Sequence, residues 1–328
     1  MAQSIVTDLR TTATELLKLD YVSEVARIGD ALRSALASRL NRRGFVVAMS
    51  GGIDSSVCAA LCVEAVGKKK VFGLLLPERD SSPNSRSRGE DLAQQLGIDY
   101  EIQDIGPTLQ AIGCYGRRDS AIRRALPNYS SEWKSKIVLH GGLEGKINHF
   151  VIVAEAPDGS MHEKRLRLRE YLEIVAATNF KQRVRKSIEY FHADRLNFAV
   201  VGTPNLLEFD QGFFVKNGDG SADVKPISHL YKSQVYAIAW HLGLPEDICR
   251  AAPTTDTYSL PQGQDEFYFA LPYESMDIAL WYYNESKSAA DLASILEIEE
   301  ERAEHVYRDI ERKRAVARYL HAAPIAAR

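Results

Sequence analysis

The chain of 328 residues holds little of what would mark a specialised environment. Its four cysteines, Cys58, Cys62, Cys114 and Cys249, are too few and too scattered for a disulfide framework. Cys58 and Cys62 stand one helical turn apart, yet no second pair or neighbouring histidine completes a metal-ligand set. They are expected to pack a buried helix as small apolar residues. The eight histidines are dispersed and form no HExxH grouping. No apolar run approaches the length of a bilayer span, and the opening MAQSIVTDLRTT is polar, without the apolar core of a signal peptide, so the expected location is cytoplasmic. Charge of one sign is also missing: 41 Lys and Arg against 44 Asp and Glu leave a net −3, which excludes a global electrostatic case for nucleic acid or an anionic membrane. Neither GxxxxGK[ST] nor GxGxxG occurs, which argues against a P-loop and a standard dinucleotide fingerprint.

What is present is an ordinary globular composition, 45% hydrophobic and 26% charged, enough for a sizeable core. Apolar residues at helical spacing, among them Leu16, Leu17, Val25, Ile28, Leu32 and Leu36, predict one or two amphipathic helices over 5–40. Apolar runs then predict strands at Phe45–Met49, Val71–Leu76, Tyr100–Asp104 and Phe198–Val201. Helical patterns at Ser55–Val66, Arg86–Leu96 and about Phe180–Phe191 separate them. Strands without polar alternation, divided by helices, indicate an α/β fold with a doubly wound parallel sheet covered on both faces. A single domain over 1–328 is expected, with a helical C-terminal segment at 282–328.

In such a sheet the ligand crevice lies beyond the carboxyl ends of the strands. There the sequence reads Ser50-Gly51-Gly52-Ile53-Asp54-Ser55-Ser56. Two glycines let main-chain N–H groups approach a ligand, and a helix start adds unpaired N–H groups and a positive dipole end, so the natural guest is phosphate-like. The serine hydroxyls add donors. Asp54 would repel a phosphate unless a cation stood between them, which predicts a magnesium ligand. A Ser or Asp N-cap after a tight turn is the plainer reading, though capping alone does not require both glycines.

SGGIDSS resembles the SGGxDS[ST] loop of the N-type ATP pyrophosphatases, the adenine-nucleotide alpha-hydrolase-like fold type. NFKQRVR (179–185), GTPNLLEFDQGFFVKNGDGSADVKPISHLYKSQ (202–234) and PTTDTYSLPQGQDE (253–266) together resemble the ammonia-dependent NAD synthetases, as does LPERDSS (76–82). The resemblance covers most of residues 40–280. It implies ATP contacts from Ser50, Gly51, Gly52, Ile53, Asp54, Ser55, Ser56, Leu76, Arg79, Thr203, Lys232 and Thr254. It implies deamido-NAD contacts from Asn179, Arg183, Phe213, Lys216, Asp223, Arg312 and Lys313. Asp54 and Glu208 would bind Mg2+, and Asp54, Lys232 and Asp219 would serve catalysis. The implied reaction is amidation of deamido-NAD with ATP and ammonia through an acyl adenylate, giving AMP and pyrophosphate. A homodimer is implied too. Nothing resembles a glutaminase domain, so ammonia arrives free or from a separate glutaminase.

The sequence departs from that family in three places. The connection from Asp104 to Asn179 is long, and within an expected β-rich insertion at 115–175 the stretch 136–175 alternates apolar and polar positions between the turn signals GGLEG and APDGS, predicting an antiparallel hairpin or three-stranded sheet that caps the site or extends an interface. Arg312 stands where the family's EHKR segment has histidine, and PQGQDEF is one residue short of the usual pattern. These departures leave open a paralogous ligase for another carboxylic acid, or a nucleotide-binding scaffold. The basic stretches KQRVRK and RRDSAIRR are not read as nucleic-acid sites, because no RNA-binding module or zinc-binding cysteine set accompanies them.

Overall fold

The computed structural model describes residues 11–140, 149–253, 257–263, 268–269 and 271–327. Helix α1 (Tyr21–Ser34) starts where the Asp20 carboxylate accepts the N–H groups of Val22 and Ser23 at 3.1 and 3.2 Å. Its Val25, Ile28 and Leu32 are buried at helical spacing. Then β1 (Phe45–Ala48), α2 (Ile53–Val66), β2 (Val71–Leu75), α3 (Pro83–Leu96) and β3 (Asp99–Ile102) follow in right order for two βαβ units. Short α4 (Gly106–Ala111) and α5 (Cys114–Ala125) lead to three strands, β4 (Lys134–His140), β5 (His149–Glu155) and β6 (Met161–Arg165). The long helix α6 (Leu168–Leu196) returns the chain to β7 (Ala199–Val201). Helices α7 (Leu206–Gln211), α8 (Lys232–His241), α9 (Glu246–Cys249), α10 (Tyr273–Asn284), α11 (Ala289–Leu296) and α12 (Glu300–His321) follow.

The main sheet is parallel in the order β3-β2-β1-β7. Alternate residues of its strands serve opposite layers. Phe45, Val47, Leu75 and Val201 pack with α1, α2 and α8, while Val46, Leu74 and Val200 pack with α4, α5 and α6. Burial on both faces is why these strands read as unbroken apolar runs. The exception is β3, the edge strand, where Asp99 and Glu101 are exposed, so its alternation reflects one open side rather than two covered ones. Because the chain steps from β1 to β2 to β3 and then re-enters beside β1 as β7, the strand order reverses between β1 and β7. That reversal opens the crevice at the carboxyl ends of β1 and β7.

The insertion is a three-stranded antiparallel sheet, β4-β5-β6, with Ile137 opposite Ile152 in the centre. Its APDGS turn closes with Ala156 N–H donating to the Ser160 carbonyl at 2.9 Å, while GGLEG lies outside the described residues. Ile137, Ile152 and Ala154 pack with Ala121 and Ile122 of α5, Ile174 of α6 and Tyr258. The β-rich insertion expected over 115–175 is helical at both ends: 115–125 belong to α5, and 168–175 form the first turns of α6, because Glu170, Ile174, Ala177, Thr178 and Lys181 are buried there and recur at helical spacing. All four cysteines are buried free thiols, and Cys58 and Cys62 lie on the inner face of α2 as expected.

Ile137 is fully buried at the junction of insertion and domain. Ile137→Ala should lower stability by about 2–5 kcal/mol in urea unfolding, within one cooperative transition. A separate early transition with the main transition unmoved would show instead that the insertion folds by itself.

Candidate active site

The loop after β1 is shaped by what surrounds it. Gly51 has φ +73°, and a Cβ there would sit 2.2 Å from the Ser85 carbonyl oxygen in the first turn of α3. Glycine is therefore required twice over, by conformation and by the approach of that backbone. Gly52 is the N-cap of α2 and gives no side-chain cap. The hydroxyls of Ser55 and Ser56 donate to the Gly52 carbonyl at 3.1 and 2.8 Å, and Ser50 N–H donates to Ser55 Oγ at 3.2 Å. Side-chain capping is thus not what the serines do. Their bonds fold the turn, and the start of α2, which lies at Ile53 rather than Ser55, has no side-chain cap, the kind of helix start whose unpaired amides suit an anion.

Asp54 lies in the first turn of α2 and carries the connections of the site. One oxygen accepts from Asn205 Nδ2 at 3.1 Å, and the other pairs with the Lys232 ammonium. Asn205 follows β7 and caps α7: its Oδ1 accepts Glu208 N–H at 3.2 Å while its own N–H donates to Glu208 Oε2 at 3.2 Å. One asparagine therefore fixes both predicted metal carboxylates, from opposite sides of the switch point. Lys232, at the start of α8, is 1% exposed. Burial alone would depress its ammonium, but the nearby Asp54 and Glu208 carboxylates hold it above its ordinary range. The lysine is thus a buried ammonium paired with Asp54.

Asp277 of α10 fixes that lysine from behind. Its carboxylate accepts Lys232 N–H at 3.2 Å, Ser233 N–H at 2.7 Å and the Ser233 hydroxyl at 2.7 Å, serving the orphan amides of α8. Complete burial pushes the Asp277 carboxyl up to about 7, against the lowering effect of those hydrogen bonds.

The carboxylate pair fits a hard cation. Among the described residues no cluster of three or more His, Cys, Asp or Glu forms an all-protein cage. Magnesium, though, commonly takes one or two carboxylates and completes its shell with phosphate oxygens and water. Asp54 and Glu208 on a shared asparagine match that donor set.

The other residues singled out by sequence fall into separate places. Thr203 follows β7 directly and is half-buried. Leu76 is buried, its carbonyl accepting from Arg185 Nε at 3.2 Å, and Arg79 lies over the Tyr115 ring at 3.9 Å. Thr254 lies outside the described residues. On the substrate side, Arg183 Nε donates to the Lys216 carbonyl at 3.3 Å, and Lys216 Nζ donates to the carbonyls of Tyr319 and Ala322 at the end of α12. Lys313 pairs with Asp309 at 2.5 Å beside the Tyr268 and Phe269 rings, which also flank Phe213. Asp219 and Asp223 are committed to main-chain amides, those of Val215 and Val200, both at 2.7 Å. Asn179 is half-buried on α6 and Arg312 is exposed on α12. Asp54 thus pairs directly with Lys232 and is joined to Glu208 only through Asn205, while Lys216 and Lys313 meet at α12 and Arg183 reaches it through the Lys216 carbonyl. Asn205 was missed, although N-x-x-E is a capping-box signature. Asp277 carries no local signal.

Gly51→Ala is expected to cost about 1–3 kcal/mol from the forced left-handed backbone alone and to weaken ATP binding further by displacing Ser85, read by thermal melting and nucleotide titration. Asp277 contributes a pH dependence. Its carboxyl titrates higher in the folded chain than when unfolded, so its contribution is complete below about pH 4 and is lost as pH rises to about 7. Chemical denaturation across that window should show a falling slope in the wild type that Asp277→Asn flattens.

Comparison with known proteins follows the same lines. A family model described as NAD synthase matches residues 24–138 and 144–317. An NH(3)-dependent NAD(+) synthetase from Rhizobium meliloti (strain 1021) is 54% identical over 95% of this chain and 93% of its own, and one from Rhizobium rhizogenes is 51% identical over 95% of each. Among solved structures, an NMN synthetase from Francisella tularensis superposes with a TM-score of 0.65 at 20% identity, over 94% of this chain and 99% of the other. An NH3-dependent NAD synthetase from Campylobacter jejuni superposes with 0.60 at 20% identity, over 94% and 100%. These two share the fold. The relatives and the family match, on a chain whose loop, carboxylates and lysine are assembled at the switch point, place this protein in the NAD synthase family.

Proposed function

We propose that this chain amidates deamido-NAD, consuming ATP and ammonia and releasing AMP and pyrophosphate. The observation that carries the reading is the SGGIDSS loop joined through Asp54 to Lys232 and, through Asn205, to Glu208, in a chain 54% identical to an NH(3)-dependent NAD(+) synthetase. In the first half-reaction a carboxylate oxygen of the substrate bonds to the α-phosphorus of ATP as the bond to the β-phosphate bridge breaks. In the second, the ammonia nitrogen bonds to the acyl carbon, the bond to AMP breaks, and the nitrogen gives up its extra proton.

No protein nucleophile is required. The loop amides and the α2 N-terminus bind the departing pyrophosphate, and Lys232, held cationic and immobile, faces the charge that builds there. Magnesium held by Asp54 and Glu208 would offset phosphate charge. Alignment of the two substrates supplies up to about 7–11 kcal/mol of the barrier reduction. Arg183, Lys216 and Lys313 are proposed to receive the charged groups of deamido-NAD, with Phe213 and its aromatic neighbours as the apolar wall. Asp219 and Asp223 fit positioning roles, since their oxygens hold the turn at 215–219 and the β7 edge. Thr203 and Arg79 are proposed ATP contacts, and Thr254, Asn179 and Arg312 are retained from the family resemblance.

By the same resemblance the active unit is a homodimer, working in the cytoplasm with free ammonia or ammonia from a separate glutaminase. No described helix is long and apolar enough to cross a membrane.

Pyrophosphate release measured with ammonium, magnesium and a panel of carboxylates tests the reading. Deamido-NAD should be turned over, and Lys232→Met should lower kcat by about 10²–10³-fold. Turnover of a different acid with none of deamido-NAD would replace the substrate, and full activity in Asp54→Ala would remove the metal assignment.

A further inference from the structure

Lys181 stands in the middle of α6, 1% exposed, on the helix face that also buries Ile174, Ala177 and Thr178. A buried ammonium is tolerated only when paired and fully hydrogen-bonded. All three of its donors are used: Glu78 Oε1 at 2.9 Å, Asp80 Oδ2 at 2.7 Å and the Thr257 carbonyl at 2.8 Å. The acceptors come from two segments far apart in sequence, the loop after β2 and the stretch at 257–262.

Both segments are gripped from a second side. Tyr115 donates to Glu78 Oε2 at 2.8 Å, and buried Arg118 donates to Asp80 at 2.7 Å and to Asp119 at 3.0 Å. Burial would raise the Asp80 carboxyl, but the Lys181 and Arg118 charges prevail and hold it below its ordinary range. With Glu78 and Asp80 turned inward, Arg79 between them is turned out, its side chain 40% exposed and its guanidinium over the Tyr115 ring. The stretch after Thr257 lies along β4 of the inserted sheet. Ser135 N–H donates to Ser259 Oγ at 2.8 Å, Leu260 N–H to the Ser135 carbonyl at 3.3 Å, Lys136 Nζ to the Pro261 carbonyl at 3.1 Å and Gln262 Nε2 to the Ile137 carbonyl at 2.5 Å. One main-chain bond and three bonds involving side chains thus hold this stretch against β4.

We propose that Lys181 is a positioning residue for the nucleotide side of the active site: it fixes the direction in which Arg79 is presented and ties that loop, through Thr257, to the stretch seated on the inserted sheet. The insertion then acts as a fixed bracket for one wall of the site. This rests on the ATP-contacting role of Arg79 given under the proposed function. Replacing the ammonium with an apolar chain of similar length leaves Glu78 and Asp80 buried with only part of their countercharge, and the loop relaxes to bring them to water.

The test is calorimetric titration with magnesium and α,β-methylene ATP, without any carboxylate, well below the unfolding temperature. Lys181→Met should weaken binding about tenfold, with kcat at saturating ATP much less affected. Arg79→Ala should weaken it comparably, and adding Lys181→Met to Arg79→Ala should bring no further loss. Lys186→Met removes another buried ammonium of α6, paired with Glu189 at 2.6 Å, and should lower the melting temperature while leaving nucleotide affinity within about twofold. If Lys181→Met does not fold, Glu78→Gln removes the same ion pair from the loop side and should weaken binding in the same sense. Unchanged affinity in Lys181→Met, or losses that multiply with Arg79→Ala, would overturn the proposal. Intact nucleotide binding without amidation of deamido-NAD would count against the proposed function alone.

Discussion

The ion pair between Asp54 and Lys232 is the constraint on which the site rests. It joins the first turn of α2, after β1, to the first turn of α8, and Asn205 extends it to Glu208 after β7. Each partner would be unfavourable alone in so enclosed a place, and together they set each other's geometry. Asp277 completes the arrangement from the outer side by taking the amides at the start of α8. Three strand-end and helix-start segments are thus brought to one point by charge rather than by apolar packing. The packing beneath them, with alternate strand residues facing opposite layers, supplies the rigid platform.

A second charged cluster, around Lys181, Arg118, Glu78 and Asp80, stands on the other layer of the sheet. It changes the meaning of the basic stretches. In KQRVRK, Lys181 and Lys186 are both buried and paired, and in RRDSAIRR Arg118 is 2% exposed. Lys181 and Arg118 hold the loop after β2 to α6 and α5, and Lys186 pairs within α6.

Much of the fold was readable because its strands are buried on both faces and its helices keep apolar spacing. The four strands of the main sheet and the antiparallel insertion fall close to their expected places. The start of α6 carried its own signal, since in LREYLEIV the apolar Leu168, Tyr171, Leu172 and Val175 stand at helical spacing, but the alternating strands just before it masked that change of period; the burial of Glu170, Ile174 and Lys181 marks the helical face. In the site, Asp54 stood out because a carboxylate among phosphate-binding amides needs a reason. Lys232 and Glu208 came from the family resemblance. Asn205 had a local signature, whereas Asp277 acts across 44 and 45 residues on the backbone of another helix, and no local pattern encodes that. Lys181 was visible only as one basic residue among several.

The order of the strands carries a consequence for how the chain matures. β1 must wait for β7 before its open edge is closed, and Asp54 meets its counter-ion 178 residues later in the chain. The strand pairings of the insertion are local in sequence, whereas the parallel pairing that creates the crevice is non-local and slow to form. Until β7 is made the β1 edge stays open, and until α8 follows it the Asp54 carboxylate lacks its counter-ion, so the half-built chain is the form most exposed to aggregation.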